Sequence, residues 1–240
     1  MIGNKNKVMV FLFLCCAGIM VIPFIASCGK SGTASPSSSA TKTQMQLVNL
    51  SPDLQGVLLW VGLVKQTQYP VSYPNSSNYL TLTNIDSPVQ VRSYSPLISS
   101  GSFVTINPVL KPYLKYTLFV TGLRADNTIN SIFTVDTAAA PATGRGKIRF
   151  VNASPKSQAF DVSANGTMAF TNQLYLKASS FIELPAGSYE FKIMPTGTTT
   201  VISDLKGITI LDGKIYTLYC RGVANGADSV AFGAGVLSNK

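Results

Sequence analysis

Short runs in the second half of the chain alternate apolar and polar residues, which is the pattern of half-buried β-strands. Residues 160–164 read FDVSA and are followed by Asn165-Gly166, a pair typical of a two-residue hairpin turn. Residues 189–193 (YEFKI) alternate in the same way, and 185–188 (PAGS) supply the proline and glycine of a turn before them. We expect strands on both sides of each turn.

Another hairpin is expected at Asp212-Gly213, between the apolar runs 208–211 and 214–220. No stretch after residue 43 shows a sustained apolar period of about 3.6 residues, the mark of an amphipathic helix. Short strands with turns roughly every 8–12 residues predict an all-β sandwich or barrel.

Two motifs occur twice in the same order. Residues 46–52 (QLVNLSP) match 149–155 (RFVNASP), and 116–122 (YTLFVTG) match 216–222 (YTLYCRG). The offset falls from 103 to 100, so the first copy carries three extra residues. We therefore predict a duplication.

The predicted repeats span residues 44–136 and 147–240, joined by a linker at 137–146 of Ala, Pro, Thr and Gly composition. Each is expected to form its own β-sandwich, and the fold class is two tandem immunoglobulin-like or transthyretin-like domains.

The N-terminus has the organisation of an export signal. Lys5 and Lys7 precede an uncharged apolar run at 8–26, and the run ends in Ile25-Ala-Ser-Cys28-Gly. This ending resembles the lipobox of bacterial lipoproteins, in which the cysteine receives the lipid. The resemblance implies a signal peptide at 1–27 and lipid attachment at Cys28. The alternative is an uncleaved membrane helix, because the run is long enough to span a bilayer.

Residues 28–43 are rich in Ser, Thr, Gly and Ala, and they are expected to form a flexible tether. A coil of about 15 residues has a root-mean-square reach of roughly 20–23 Å. We expect the protein to lie in the cell envelope, anchored in the outer membrane of a Gram-negative bacterium.

Positive charge is in excess along the whole chain. The 19 basic and 10 acidic residues give a net charge of +9, or +7 once Lys5 and Lys7 leave with the signal. The longest basic cluster is Arg145, Lys147 and Arg149. Without a nucleic-acid-binding motif, this charge indicates solubility and a weak attraction to a membrane surface, and we expect no nucleic-acid partner.

Several motifs of the second copy together resemble the bacterial domain-of-unknown-function family 4397. They are V-N-x-S-P, Asn165-Gly166, the segment LPAGSY at 184–189 and GKIYTL at 213–218. The resemblance covers residues 45–240 and is weaker in the first copy, where Lys111-Pro112 replaces Asp-Gly and 83–88 replaces PAGS. It implies exported, often duplicated β-sandwich domains, and it implies no catalytic residues.

Little in the composition supports catalysis. The chain has no histidine, which removes Ser–His and Cys–His nucleophile pairs and the usual zinc sites. After the signal and anchor are set aside, Cys220 is the remaining cysteine, and we expect it to be buried and unpaired. We predict no catalytic residue, no metal and no cofactor. A glycosidase pair of carboxylates and a calcium-binding turn at 225–228 are the alternatives.

The repeated asparagines Asn49 and Asn152 precede Ser-Pro. We interpret them as structural, because an asparagine side chain there can hydrogen-bond the backbone two residues further on.

Aromatic residues of the first copy are the candidate binding site. The segment 69–79 (YPVSYPNSSNY) combines Tyr69, Tyr73 and Tyr79 with Ser, Asn and Pro, a composition that suits recognition surfaces. Trp60 lies opposite Ser163 when the copies are aligned. We expect the three tyrosines, with Trp60 as a further candidate, to form one exposed patch. For the tyrosines, the alternative is an irregular sheet edge on which they cover the core. For Trp60, the alternatives are packing between the domains or a sheet that is buried on both faces.

The sequence favours a membrane-tethered, non-enzymatic module that binds a glycan or an envelope protein. The alternative is a structural or accessory subunit of a surface assembly, similar to fimbrillin-type lipoproteins, and an enzyme comes third.

Overall fold

A computed structural model describes residues 42–97 and 101–239 of the chain. The predicted signal, the anchor Cys28 and nearly all of the predicted tether lie outside the described residues. The strands of the first repeat are β1 (Gln44–Asn49), β2 (Gly56–Val61), β3 (Val64–Lys65), β4 (Val71–Ser72), β5 (Ser76–Thr81), β6 (Val89–Ser93), β7 (Ser102–Ile106), β8 (Lys115–Thr121) and β9 (Asn130–Val135).

The second repeat continues with the same kind of element. Its strands are β10 (Arg145–Asn152), β11 (Phe160–Ala164), β12 (Thr167–Gln173), β13 (Lys177–Ala178), β14 (Ile182–Pro185), β15 (Gly187–Pro195), β16 (Ser203–Ile210), β17 (Ile215–Arg221) and β18 (Gly233–Ser238). A single-turn 3-10 helix, Asp228–Val230, is the one helix of the described residues. No helix in the ranges described is long and apolar enough to cross a membrane. The prediction of an all-β fold is confirmed.

The strands form four sheets. Sheet I has the order β5-β1-β8-β9, and sheet II has β3-β2-β6-β7 with β4 also paired to β2. Sheet III has β13-β10-β17-β18 with β14 paired to β10, and sheet IV has β12-β11-β15-β16. In sheets I and III the first strand of the repeat runs parallel to the strand that carries the second motif, β1 with β8 and β10 with β17. The two repeated motifs are therefore neighbours in space.

Each repeat encloses its own apolar core. In the first, Leu47 and Leu118 of sheet I pack with Leu59 and Val91 of sheet II. The second core contains aromatic residues from both sheets III and IV, among them Phe150, Phe160 and Phe191. The predicted strand at 160–164 is present, and its polar residues are buried as well: Asp161 accepts hydrogen bonds from the backbone of Asn172 and Gly197 and from the hydroxyl of Thr196. Burial raises the pKa of Asp161, but these three donors outweigh it and hold the pKa below the ordinary aspartate value.

The turn at Asn165-Gly166 is confirmed, and the hairpin at Asp212-Gly213 is wrong. Ala164 pairs with Thr167, and both turn residues have positive φ, as a tight hairpin requires. The strands around Asp212 belong to different sheets, because β16 pairs with β15 and β17 pairs with β10. The turn at 185–188 likewise carries the chain from β14 in sheet III to β15 in sheet IV.

The outer faces of sheets I and III pack against each other. Val48 and Phe119 of sheet I, with Leu50 just after β1, meet Val151 and Tyr219 of sheet III, and the Phe119 and Tyr219 ring centroids are 6.4 Å apart. We call this the inter-repeat interface. It explains why β1 and β10 are buried on both faces. The strand β10 begins at Arg145, inside the expected linker 137–146.

Candidate functional site

The V-N-x-S-P motif fixes the end of β1 in the first repeat. Asn49 is fully buried and accepts a hydrogen bond from the backbone of Ser51, two residues on. Its amide donates to the carbonyl of Val71 at 3.1 Å, and Ser51 donates through its hydroxyl to the carbonyl of Gly122 at 2.8 Å. The motif therefore ties together β1, β4 and the end of β8.

The second repeat makes the same bonds with its own residues. Asn152 accepts from the backbone of Ser154 and donates to the carbonyl of Gln173, and Ser154 donates to the carbonyl of Gly222. Gly222 has a φ of +67°, and a Cβ there would collide with a backbone carbonyl, which explains why glycine ends this motif. The structural interpretation of the paired asparagines is confirmed.

The two repeats differ at the edge of the sheet beside β2 and β11. In the second repeat one strand, β12, covers β11. In the first repeat the corresponding edge is broken into β3 and β4, and the chain leaves the sheet between Lys65 and Val71. An open pocket of about 400 Å³ lies at this break.

The pocket has an apolar floor and a polar rim. Its lining consists of Thr67, Gln68, Tyr69, Pro70, Val71, Ser72, Asn75, Ser76, Ser77 and Leu80. Tyr69 is 73% exposed, whereas Val71 is buried. Thr67, Ser76 and Ser77 use their hydroxyls to hold neighbouring segments. Among the described residues, the side chains of Gln68, Ser72 and Asn75 have no hydrogen-bond partner, so they are available to a ligand.

Of the predicted binding residues, only Tyr69 lines this pocket. Tyr73 is half-buried, its hydroxyl accepts a hydrogen bond from Arg221 at 2.6 Å, and the guanidinium lies over its ring. Tyr79 is half-buried as well, and its hydroxyl donates to Asp136 at 2.7 Å and accepts from the amide of Asn239. The expected patch of three well-exposed tyrosines is therefore wrong, because the second repeat covers Tyr73 and Tyr79.

Trp60 lies on the outer face of sheet II. The guanidinium of Arg92 sits 4.4 Å from the centre of its ring and also donates to the side chain of Gln90. Its indole nitrogen is buried without a hydrogen-bond partner within the described ranges. Trp60 is thus neither in the inter-repeat interface nor part of the pocket, and the alternative of a tryptophan packed between the domains is also wrong.

A buried polar network crosses the inter-repeat interface. Asp136 forms a hydrogen-bonded ion pair with Arg149, and both side chains are almost completely buried. Thr117 and Tyr79 donate to the second oxygen of Asp136. Arg149 also donates to Thr217, whose hydroxyl donates to Asn239.

This network changes the interpretation of two sequence features. Arg149 belongs to the basic cluster noted in the sequence, but its side chain is buried and paired with a carboxylate. Asp136, the last residue of the predicted first repeat, joins the two repeats. Burial, followed by the charge of Asp136, raises the pKa of Tyr79 above the ordinary tyrosine value, so its hydroxyl stays protonated as a donor.

The cysteine and the acidic residues of the described ranges were the remaining candidates for chemistry in the sequence. Cys220 is fully buried and unpaired, as expected, and burial raises the pKa of its thiol to about 12. Within the part of the chain described, no three Cys, Asp or Glu side chains lie close enough to hold a metal ion. The segment 225–228 leads into the 3-10 helix.

The fold and the site define a duplicated β-sandwich protein with an open polar pocket in its first repeat. The model of the family described as Domain of unknown function (DUF4397) matches residues 43–162 and 146–234. The chain belongs to this family, which confirms the resemblance seen in its motifs. A comparison with curated proteins found no match.

Proposed function

We propose that this chain is a lipid-anchored protein of the cell envelope that binds a glycan through the pocket of its first repeat and catalyses no reaction. The main support for this proposal is the pocket at the break between β3 and β4. Its volume of about 400 Å³ lies within the roughly 300–1,000 Å³ range of small-ligand sites.

The chemistry of the lining favours a sugar. An exposed tyrosine ring offers an apolar face with a polar tip, and sugars present both CH and OH groups to such a surface. The free amides of Gln68 and Asn75 and the hydroxyl of Ser72 can donate to and accept from hydroxyl groups. The lining contains no carboxylate, lysine or cysteine, which supports binding without catalysis.

The pocket is also held rigidly by the core. Asn49 bonds both sides of it, through its side chain to Val71 and through its backbone to Asn75. A site fixed before its ligand arrives loses less conformational freedom on binding.

The binding proposal is tested by screening the full chain against an array of envelope and host glycans, followed by titration calorimetry with the best ligand. Tyr69→Ala is expected to weaken binding about tenfold or more, since loss of an aromatic contact is worth roughly 1.4 kcal/mol. Tyr113→Ala is the matched control, because this exposed tyrosine lies outside the pocket. Equal affinity of wild type and Tyr69→Ala would contradict the proposal. Polymers of the protein without glycan binding would favour the structural alternative.

The anchor proposal has its own experiment. Cells expressing the protein are fed a labelled fatty acid, and Cys28→Ala is expected to abolish labelling and to accumulate as precursor. Label in the Cys28→Ala protein would place the lipid elsewhere.

A further inference from the structure

We infer that one end of the first sandwich is a membrane-contact surface that lies against the anionic headgroups of the bilayer. This end, called here the N-terminal end, contains the start of β1, the β2–β3 turn and the β7–β8 loop at residues 107–114. The inference relies on the proposed anchor for the choice of the bilayer as the partner.

Hydrogen bonds join these segments into one surface. Thr43, just before β1, donates through its hydroxyl to the carbonyl of Lys111 at 3.1 Å. Ser87 donates to the carbonyl of Pro108 at 3.1 Å. Gly62 donates its backbone N–H to the carbonyl of Pro88 at 3.0 Å, so the β2–β3 turn lies at the same end.

Large apolar side chains project from this end. Val109 is 82% exposed and Tyr113 is 71% exposed, and they flank Leu110, which is buried and fixes the loop to the core. Leu63, in the neighbouring turn, is 61% exposed. Apolar tips on a fixed loop, with a tyrosine among them, suit the boundary between headgroups and acyl chains.

The charge at this end matches an anionic surface. Lys42, Lys65 and Lys111 are exposed and lie in or next to the segments of this end, and Asp86, between β5 and β6, is exposed as well. Near a membrane surface, each lysine contributes attraction to anionic lipid headgroups.

Tyr113 provides the most specific evidence. Its φ is +66°, a left-handed conformation that is unfavourable for a bulky residue. The sequence comparison set Lys111-Pro112 against Asp212-Gly213, but the structure shifts this alignment by one residue, so the equivalent of Tyr113 in the second repeat is Gly213, with a φ of +72°. The two loops are alike: Lys111 donates its N–H to the hydroxyl of Tyr116, and Leu211 donates to Tyr216. The first repeat therefore keeps a strained, exposed tyrosine where glycine suffices for the fold, which points to a role outside the fold.

The position of the chain start explains why the bilayer is the occupant. Thirteen residues of the expected tether separate Cys28 from Lys42, and a flexible tether of that length is expected to reach on the order of 20 Å. The first described residues emerge at the N-terminal end, so an anchor on Cys28 holds this end nearest the membrane.

The test uses the full, processed chain in vesicles of phosphatidylethanolamine and phosphatidylglycerol. A polarity-sensitive dye is attached in two variants, Tyr113→Cys at the N-terminal end and Ala125→Cys in the exposed β8–β9 loop at the opposite end. Cys220 is buried and does not react.

The emission of the dye at position 113 is expected to shift to the blue and to be quenched by lipid-borne quenchers. The dye at position 125 is expected to stay in water. The 113 signal is expected to weaken in phosphatidylcholine vesicles.

Equal quenching at positions 113 and 125 would overturn the inference, as would a dye at 113 that is buried only when two protein copies associate. Tyr113→Gly with the dye at Val109→Cys supplies a second measurement, in which quenching is expected to fall. The anchor is tested separately by dye labelling of the wild-type protein. A lipidated wild type has no reactive thiol, whereas an unmodified Cys28 takes up one dye. An unmodified Cys28 therefore contradicts the anchor, and positions 113 and 125 are then compared in a Cys28→Ser background, so that each variant carries a single dye.

Discussion

At the scale of single residues, Asp136 and Arg149 show how burial changes the meaning of a charge. Asp136 lies between two exposed residues, whereas Arg149 lies between Ile148 and Phe150, which are buried in the core of the second sandwich, so Arg149 occupies the opposite face of β10. The sequence does not show that a second sheet covers that face. A carboxylate 13 positions earlier supplies the partner, and only the folded arrangement of the repeats brings the two together.

Removing one member of this pair leaves the other buried without compensation. Asp136→Ala is therefore expected to lower the free energy of unfolding by about 3–5 kcal/mol. Urea unfolding followed by circular dichroism measures the change. The control is Asp126→Ala, which removes the exposed ion pair with Lys156 and is expected to change stability by less than about 1 kcal/mol. Similar losses in the two variants would contradict the role given to the buried pair.

At the scale of strands and loops, the turn residues predicted where the chain turns, but they did not predict which strands pair with each other. Asp212-Gly213 does form a turn, but glycine and proline specify backbone angles and not the sheet to which the next strand belongs. The strands β16 and β17 separate because each finds its main partner elsewhere, in β15 and β10. The composition of 69–79 was compatible with an irregular sheet edge, which was an alternative to a recognition surface. It did not reveal the pocket, since this depends on where the edge strand breaks.

The β7–β8 loop offers a direct measure of the strain at Tyr113. Tyr113→Gly is expected to raise the free energy of unfolding by about 0.5–1 kcal/mol, because relief of a left-handed conformation worth roughly 1–2 kcal/mol exceeds the entropic cost of glycine. Thermal unfolding measures the change. Tyr69→Gly, at an exposed tyrosine without positive φ, is expected to destabilise the protein. A destabilised Tyr113→Gly protein would show that the tyrosine contributes to the fold itself.

At the scale of the whole molecule, the duplication could be predicted from the sequence because two motifs recur in the same order. The sequence could not predict which sheets of the two copies pack together. A strand that is buried on both faces has the same apolar pattern whichever sheet covers its second face. Val48 and Val151 illustrate this: each lies in a motif shared by both copies, and each is buried in the inter-repeat interface.

The interface predicts that the repeats unfold together. Calorimetry of wild type is expected to give one transition with equal calorimetric and van't Hoff enthalpies. Phe119→Ala, which removes an aromatic ring from the interface and leaves the apolar core of the first sandwich intact, is expected to lower stability by about 3–5 kcal/mol and to separate the transition into two. Leu118→Ala, the neighbouring change in the core of the first sandwich, is the matched comparison. Two transitions in wild type would show that the repeats are energetically independent.

The buried ion pair also determines which copies can associate with each other. Gln46 of the first repeat corresponds to Arg149 of the second, since each pairs with the equivalent threonine, and Asp136 corresponds to Asn239. Two first repeats would therefore place Asp136 opposite a glutamine, and two second repeats would place Arg149 opposite an asparagine. Either arrangement leaves an unneutralised buried charge, at a cost of several kcal/mol. The divergence of the two copies therefore favours contact between a first and a second repeat over contact between two identical repeats.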